Sequence, residues 1–469
     1  MEDAMNHLQL ALTTDDSFRT SWRGRAARLL ARAASALGAT RLVSELPNVV
    51  SASGALSELI GRTALVQTLD YRITFRFLPR YPDAPPAYFV VGRFGEGPAM
   101  VGGSLDFFSR EAAFEKALNE SVERAAWMDA ASRLTSAAKR ATLREMGKSG
   151  MNLSLLAGFS PHQRRALPHL LFDEKTEFLW VQGVRIADGE KIWVPLQLAC
   201  ATDSTTAQEP LLRASTSNGF ACHGSFAEAV EHGLLELIER DAFMVMYHNA
   251  LMPRRIDPHT IHNEHLQTVL SRIARYGLSC ELLALPTDMP VTVACVILRD
   301  LSNEGPALTL GARAHYEPEE ALLGALGESY LAWHLTRYAE LYKKPLPPRP
   351  WDMFYRVAYW AQQENMSKLS WMWEGPLSPL QSGRNNARTL TELARKVYER
   401  GCDAVSVRVS PPALEKLGFY VAGVVSPELQ PLSLDSDPPY LGGMRLRSVP
   451  LALGLTPREH PPDEPHPFP

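Results

Sequence analysis

From about residue 58 onward, short runs rich in β-branched and aromatic residues alternate with longer runs whose apolar positions return every three or four residues. The short runs predict strands: "ALVQTLDYRITFRFL" (64–78), "AYFVVGRF" (87–94), "PVTVACVILRD" (290–300), "PALTLGARAH" (306–315), "DAVSVRVS" (403–410) and "FYVAGVVS" (419–426). "EFLWVQGVRI" and "KIWVPLQLAC" predict a hairpin across "ADGE" (187–190). Helices are predicted for "SREAAFEKALNESVERAAWMDAASRL" (109–134), "SFAEAVEHGLLELIERDA" (225–242), "EPEEALLGALGESYLAWHL" (317–335) and 387–400. Strands and helices alternate, and the hairpins exclude a purely parallel sheet, so the fold class is mixed α/β, or α+β. Proline-rich "KKPLPPRP" (343–350) reads as a surface connection, and "STSNGFACHG" (215–224) as a loop. The expected organisation is an N-terminal extension over 1–57, one main domain over 58–450, and a proline-dense tail over 451–469. Within the extension, residues 17–38 predict a basic amphipathic helix with Arg19, Arg23, Arg25, Arg28 and Arg32.

Three of the helical runs repeat one pattern. Aligned on Ala113, Ala229 and Ala321, each has a leucine five positions later (Leu118, Leu234, Leu326) and a glutamate seven positions later (Glu120, Glu236, Glu328). The first two continue to a second glutamate and an arginine, Glu123–Arg124 and Glu239–Arg240. At about 100° per residue, Glu228, His232, Glu236, Glu239 and Arg240 fall within an arc of about 120°, opposite Val230, Leu234, Leu237 and Ile238. One such helix reads equally as a capped, solvated face, with Ser225–Glu228 as a capping box and Glu236–Arg240 as an i, i+4 pair. The recurrence changes this balance, because a solvated face has no reason to repeat one charge pattern. Clustered carboxylates repel unless a cation joins them. Mg²⁺ prefers oxygen ligands and is held by few carboxylates together with substrate phosphates, so the pattern points to a nucleotide site.

Composition narrows the alternatives. With 48 basic and 52 acidic residues, the chain offers no bulk charge for nucleic acid or a membrane surface. Five scattered cysteines form no C-x-x-C pair, which gives neither a zinc nor a disulfide framework and fits a cytoplasmic protein. The N-terminus has no secretory pattern, and no window is apolar enough to span a membrane. "TLREMGKSG" fails as a P-loop because Thr142 stands where glycine is needed, and no metalloprotease, hydrolase or kinase signature is present.

"SNGFACHGSFAEAVEHGLLELIERDAFMVMYHNALMPRRID", with "ALNESVER", "GARAHYEPEEALLGALGES", "LGFYVAGVVSPELQPL" and the ending "PYLGGMRLRSVPLALGLTPREHPPDEPHPFP", resembles the YcaO family in that order, over roughly residues 58–469. The likeness is to the azoline-forming cyclodehydratases. It implies a YcaO-type fold of repeated sheet-then-helix units around an ATP and Mg²⁺ site. By matching position, Glu120, Glu123, Glu236 and Glu239 would ligate Mg²⁺, while Arg124, Arg240, Glu228 and Glu236 would contact ATP. "PHPFP" matches the P-x-P-x-P terminus of azoline-forming members, which assigns Pro465, Pro467 and Pro469 to the catalytic centre. The implied reaction converts Cys, Ser or Thr of a ribosomal precursor peptide into thiazoline or oxazoline through phosphorylation of the backbone amide oxygen. Thioamide or amidine formation on the same activated amide, and a non-catalytic nucleotide-binding subunit, are the alternatives. Implied partners are the precursor peptide, a leader-binding docking protein resembling ubiquitin-activating enzymes, and a flavin-dependent dehydrogenase, around a homodimeric core within a larger complex. Ala221, Gly224 and Gly423 depart from the serine, asparagine and basic residue of many relatives, with Arg408 as a candidate replacement for the last. Glu328 lacks a following arginine and is expected to be a structural copy outside the site, and Cys222 and His223 are expected to be structural.

Overall fold

The computed structural model describes residues 54–67, 69, 71, 73–79, 81, 84–94, 100–201, 208–302, 304–346, 353–433 and 438–468. The basic helix expected at 17–38, part of the 343–350 connection and Pro469 lie outside them. Two compact units divide the chain. The first gathers the described residues up to Ala126 with Ala221–Phe226 and Ser410–Val421; the second takes Trp127–Phe220, Ala227–Val409 and the residues from Ala422 onward.

The first unit opens with helix α1 (Gly54–Gln67), followed by β1 (Ile73–Phe77), β2 (Tyr88–Phe94), β3 (Met100–Asp106) and helix α2 (Arg110–Thr135), through which the division runs after Ala126. The strand expected over 64–78 is therefore shorter, since residues 64–67 finish α1. An expected boundary at 57 hid the helical period, whose residues Leu59, Ala64 and Val66 are buried. β1, β2 and β3 form an antiparallel sheet in that order. "MVGG" is strand rather than turn. A Cβ on Gly102 would stand 2.9 Å from the Ser121 hydroxyl of α2, so glycine permits close helix-on-sheet packing.

The second unit contains β4 (Lys139–Thr142), β5 (Glu177–Arg185) and β6 (Lys191–Pro195), and the expected hairpin pairs Trp180 with Pro195 and Val184 with Lys191. A short strand, β7 (Phe220–His223), lies inside the expected loop and leads to helix α3 (Phe226–Asn249). Next come β8 (Arg254–Ile256), helix α4 (Glu264–Arg275), β9 (Leu278–Ala284), β10 (Thr292–Asp300), β11 (Leu308–His315) and helix α5 (Pro318–Tyr338). Then follow helix α6 (Met353–Trp360), β12 (Leu377–Ser378), helix α7 (Leu390–Glu399), β13 (Val405–Arg408), β14 (Tyr420–Val425) and helix α8 (Arg445–Ala452). A five-stranded sheet runs β11-β10-β9-β8-β12, antiparallel except at β8–β12, and a second sheet includes β4-β5-β13-β14 with β6 on β5. None of the described helices is long and apolar enough to cross a membrane.

The repeat is a packing rule. Ala113, Ala229, Ala321, Leu118, Leu234 and Leu326 are all fully buried. Against α5, a Cβ on Gly311 of β11 would stand 2.4 Å from the Ser329 amide, matching the Gly102–Ser121 approach at the equivalent helical position. α3 departs from the expected two-faced helix. From Gly233 to Asn249 every residue except Glu236 and Arg240 is buried, so the stripe runs from the exposed Glu228 and His232, through the half-buried Glu236 and Arg240, to the buried Glu239.

Candidate functional site

In the first unit, Glu120 lies on α2 one turn before Arg124. Its Oε2 accepts the Gly103 backbone N–H at 2.8 Å, and Arg124 Nη2 lies 2.7 Å from its Oε1. In the second unit, Glu236 on α3 is held in the same way. Its Oε2 accepts the Gly219 N–H at 3.0 Å, and Arg240 Nη2 donates to its Oε1 at 3.1 Å. Two of the repeated helices thus reproduce one clamp atom for atom. The backbone N–H grips one carboxylate oxygen and the arginine one turn later grips the other, a charge-assisted pairing that fixes rotamer and direction.

Glu239 adds a second carboxylate to the clamp of α3. Arg240 Nη1 donates to its Oε1, and the Ala314 N–H of β11 donates to its Oε2 at 3.2 Å. Glu239 is 3% exposed. Burial is the largest influence on its carboxyl and pushes it above the ordinary range; Arg240 and Arg313 oppose this, while Glu328 and Glu236 add to it. Glu328 and Arg313 therefore belong to this charge cluster, and Arg313 Nη2 donates to Glu328 Oε1 at 2.6 Å. The third repeat takes its arginine from strand β11 instead of the next helical turn, so Glu328, expected to be a copy outside the site, is paired all the same. The reason is topological: α5 packs on the strand that carries Arg313.

The remaining expected residues are placed as follows. Glu123 lies near Cys222 in the first unit. Burial, followed by the charge of Glu123, pushes the Cys222 thiol far above its ordinary value and keeps it protonated, in line with a structural cysteine. Glu228 sits on the first turn of α3, exposed, about 12 Å along the axis from Glu236. Gly423 pairs with Val407 across β13–β14, and a Cβ there would stand 2.5 Å from the Phe220 ring, so an aromatic side chain fills the space above this glycine. Arg408 pairs with Ala422, one residue out of step, and so projects from the opposite face of the sheet; it cannot replace a basic residue at Gly423.

The tail is packed rather than loose. Pro465, His466, Pro467 and Phe468 are buried. Tyr247 Oη on α3 donates to the carbonyls of Glu464 (2.8 Å) and Pro465 (3.0 Å), and Trp360 Nε1 on α6 donates to Pro465 O at 3.0 Å. Arg356 Nη2 reaches Phe468 O at 3.4 Å, and His466 Nε2 lies 2.9 Å from Ser433 O. The Phe468 ring stacks over the Arg240 guanidinium, 4.2 Å from Cζ to centroid. Phe468 of the tail therefore covers the arginine that holds Glu236 and Glu239. Sequence reasoning missed Tyr247, Trp360 and Arg356, whose only signal is a polar atom inside an apolar run. It also missed Asp241, fully buried next to Arg240 and bound by Arg445 of α8.

The donor set suits a hard divalent cation carried with a polyphosphate. Glu236, Glu239 and Glu328 offer only oxygen donors, beside the two cations Arg240 and Arg313. Among the described residues no three His, Cys, Asp or Glu side chains converge tightly enough to hold a metal by themselves.

A family model described as YcaO cyclodehydratase, ATP- and Mg²⁺-binding, matches residues 108–430. The chain belongs to the YcaO family. The YcaO chain is 28% identical over 230 residues to an uncharacterized protein from the tfuA 3′ region of Rhizobium leguminosarum bv. trifolii, covering 47% of this chain and 53% of that relative. It spans about half the length of the curated relatives it matches. Its fold is similar to that of a heterocyclase in complex with substrate and cofactor (TM-score 0.68, 18% identity, covering 86% of this chain and 57% of that one). It is also similar to YcaO from Methanopyrus kandleri bound with AMPPCP and Mg²⁺ (TM-score 0.59, 18% identity, covering 87% and 96%). The YcaO-type fold is thereby established, and the family to which the chain belongs is ATP- and Mg²⁺-binding.

Proposed function

We propose that this YcaO protein is an ATP-dependent, azoline-forming cyclodehydratase. The observation that carries the reading is the buried P-H-P-F segment, docked on the helix that presents Glu236, Glu239 and Arg240, with Phe468 against Arg240 itself. The thiol or hydroxyl of a Cys, Ser or Thr in a precursor peptide loses its proton to solvent as it adds to the preceding amide carbonyl. The resulting oxyanion takes the γ-phosphoryl group of ATP, and phosphate then leaves with the C–O bond as the azoline C=N forms, the amide nitrogen losing its proton.

Glu236 and Glu239 are assigned to Mg²⁺, Arg240 and Glu228 to the nucleotide, and Glu236 to both. The matching set of the first unit, Glu120, Glu123 and Arg124, is assigned the same chemistry. Pro465, Pro467 and Pro469 are assigned to the catalytic centre. Bound Mg²⁺ would offset phosphate charge during transfer. Arg240 then acts as a hinge of charge, because its two terminal nitrogens already hold both carboxylates in place. No side-chain nucleophile is needed, which agrees with the buried, protonated state of Cys222. The peptide, a leader-binding docking protein and a flavin-dependent dehydrogenase are the proposed partners. The test combines purified protein, Mg²⁺, ATP, the precursor peptide and its docking partner. Phosphate release with loss of one water mass per ring is expected; nucleotide binding without mass change would sink the reading in favour of an accessory subunit.

A further inference from the structure

We infer that Phe468 is a positioning residue, whose ring ties docking of the C-terminal segment to the grip of Arg240 on Glu236 and Glu239. The inference rests on the reading of those carboxylates as part of the nucleotide–magnesium site. Both terminal nitrogens of Arg240 are engaged in the guanidinium plane, one with each glutamate. Besides its Nε–H, which has no partner among the described residues, such a guanidinium offers its flat face, which is weakly hydrated and is attracted to an aromatic ring. Phe468 covers that face at 4.2 Å without competing for any in-plane donor. The ring is itself held edge-on by Phe243 of α3 at 4.9 Å, and its carbonyl by Arg356. Pro465 and Pro467 have no N–H and a fixed φ, so they act as a stiff frame that sets the direction of the side chains at 466 and 468. Of these two, only Phe468 touches the arginine of the clamp.

Linkage makes the effect reciprocal: whatever fixes Arg240 favours the docked tail, and the docked tail favours the fixed arginine. Expressed-protein ligation can install fluorinated phenylalanines at position 468, which drain the ring face of charge at nearly constant shape. In the nucleotide-free protein, hydrogen exchange at the His466 and Phe468 amides is expected to accelerate stepwise from phenylalanine to pentafluorophenylalanine, by about tenfold in total. Arg240→Gln is expected to erase that dependence. Titration calorimetry with Mg²⁺·AMPPCP is expected to show affinity falling along the same series by a similar factor. Exchange rates independent of fluorination, or a dependence that survives Arg240→Gln, would overturn the inference. If the unmodified protein fails to bind Mg²⁺·AMPPCP, the proposed function fails, while the exchange series still decides the role of Phe468.

Discussion

Asp241 and Arg445 form a two-pronged ion pair inside the second unit, with Nε on Oδ1 at 2.8 Å and Nη2 on Oδ2 at 2.7 Å. Asp241 has no exposed surface, and the Gln430 N–H also donates to its Oδ1 at 2.8 Å. The same arginine reaches Asp288 at 2.6 Å, so one cation of α8 satisfies two acids. Arg445→Met leaves Asp241 charged and buried without its partner, and is expected to cost about 3–5 kcal/mol. The Asp241→Asn, Arg445→Met double variant is expected to recover part of that loss in urea denaturation.

Gly423 offers a steric test of how this chain departs from the basic residue of its relatives. Gly423→Arg drives a Cβ into the Phe220 ring, and overpacking of this kind is expected to cost about 1–3 kcal/mol. In a Phe220→Ala background the same substitution is expected to cost measurably less. Equal costs in both backgrounds, from denaturation midpoints, would show that the ring is not what excludes the side chain.

His248 makes the stability of the second unit depend on pH. Burial pushes its imidazole down to about 4, from an ordinary value of 6.5, and neither ring nitrogen has a hydrogen-bond partner among the described residues. Between those values the unfolded chain takes up a proton that the folded one refuses. Stability is therefore present above pH 6.5 and lost as pH falls toward 4, by up to about 3 kcal/mol. His248→Leu is expected to flatten this part of the stability–pH curve; a curve unchanged by the substitution contradicts the assignment.

Glu236→Gln keeps an oxygen for Gly219 but removes the charge that faces Arg240. Affinity for Mg²⁺·AMPPCP is expected to fall by about tenfold or more, the loss of one charge-assisted contact. Glu120→Gln is expected to produce a loss of similar size, because its clamp has the same atoms. Calorimetry on both variants checks the equivalence, and a loss confined to one of them would break the parallel.

Much of this architecture is legible in the sequence because the repeat is built from packing positions that tolerate little else. The alanine and leucine of each copy are buried, and the strand glycines follow from the closeness of the helix. Glu236, Glu239 and Arg240 were readable from spacing alone. Arg313 and Glu328 were not, since their pairing depends on a strand and a helix that meet only in the folded sheet layer. Phe468 was equally hidden, because no local rule distinguishes a buried phenylalanine between prolines from a loose one. The short strands β3 and β7 escaped because glycine and small residues weaken a strand signal where helices pack most closely.

The two glutamate clamps each close a span of 17 residues, whereas Tyr247 meets the tail across 217. Contacts so different in reach form on different schedules, with the short loops closing first. On the ribosome, α3 emerges more than two hundred residues before the segment that finally covers Arg240. The carboxylate clamps can thus be set early, while the aromatic cover arrives only once that later segment has been translated. A chain stalled or cut before that stretch would keep its acids and its arginine in place and still lack the contact that joins them to the tail.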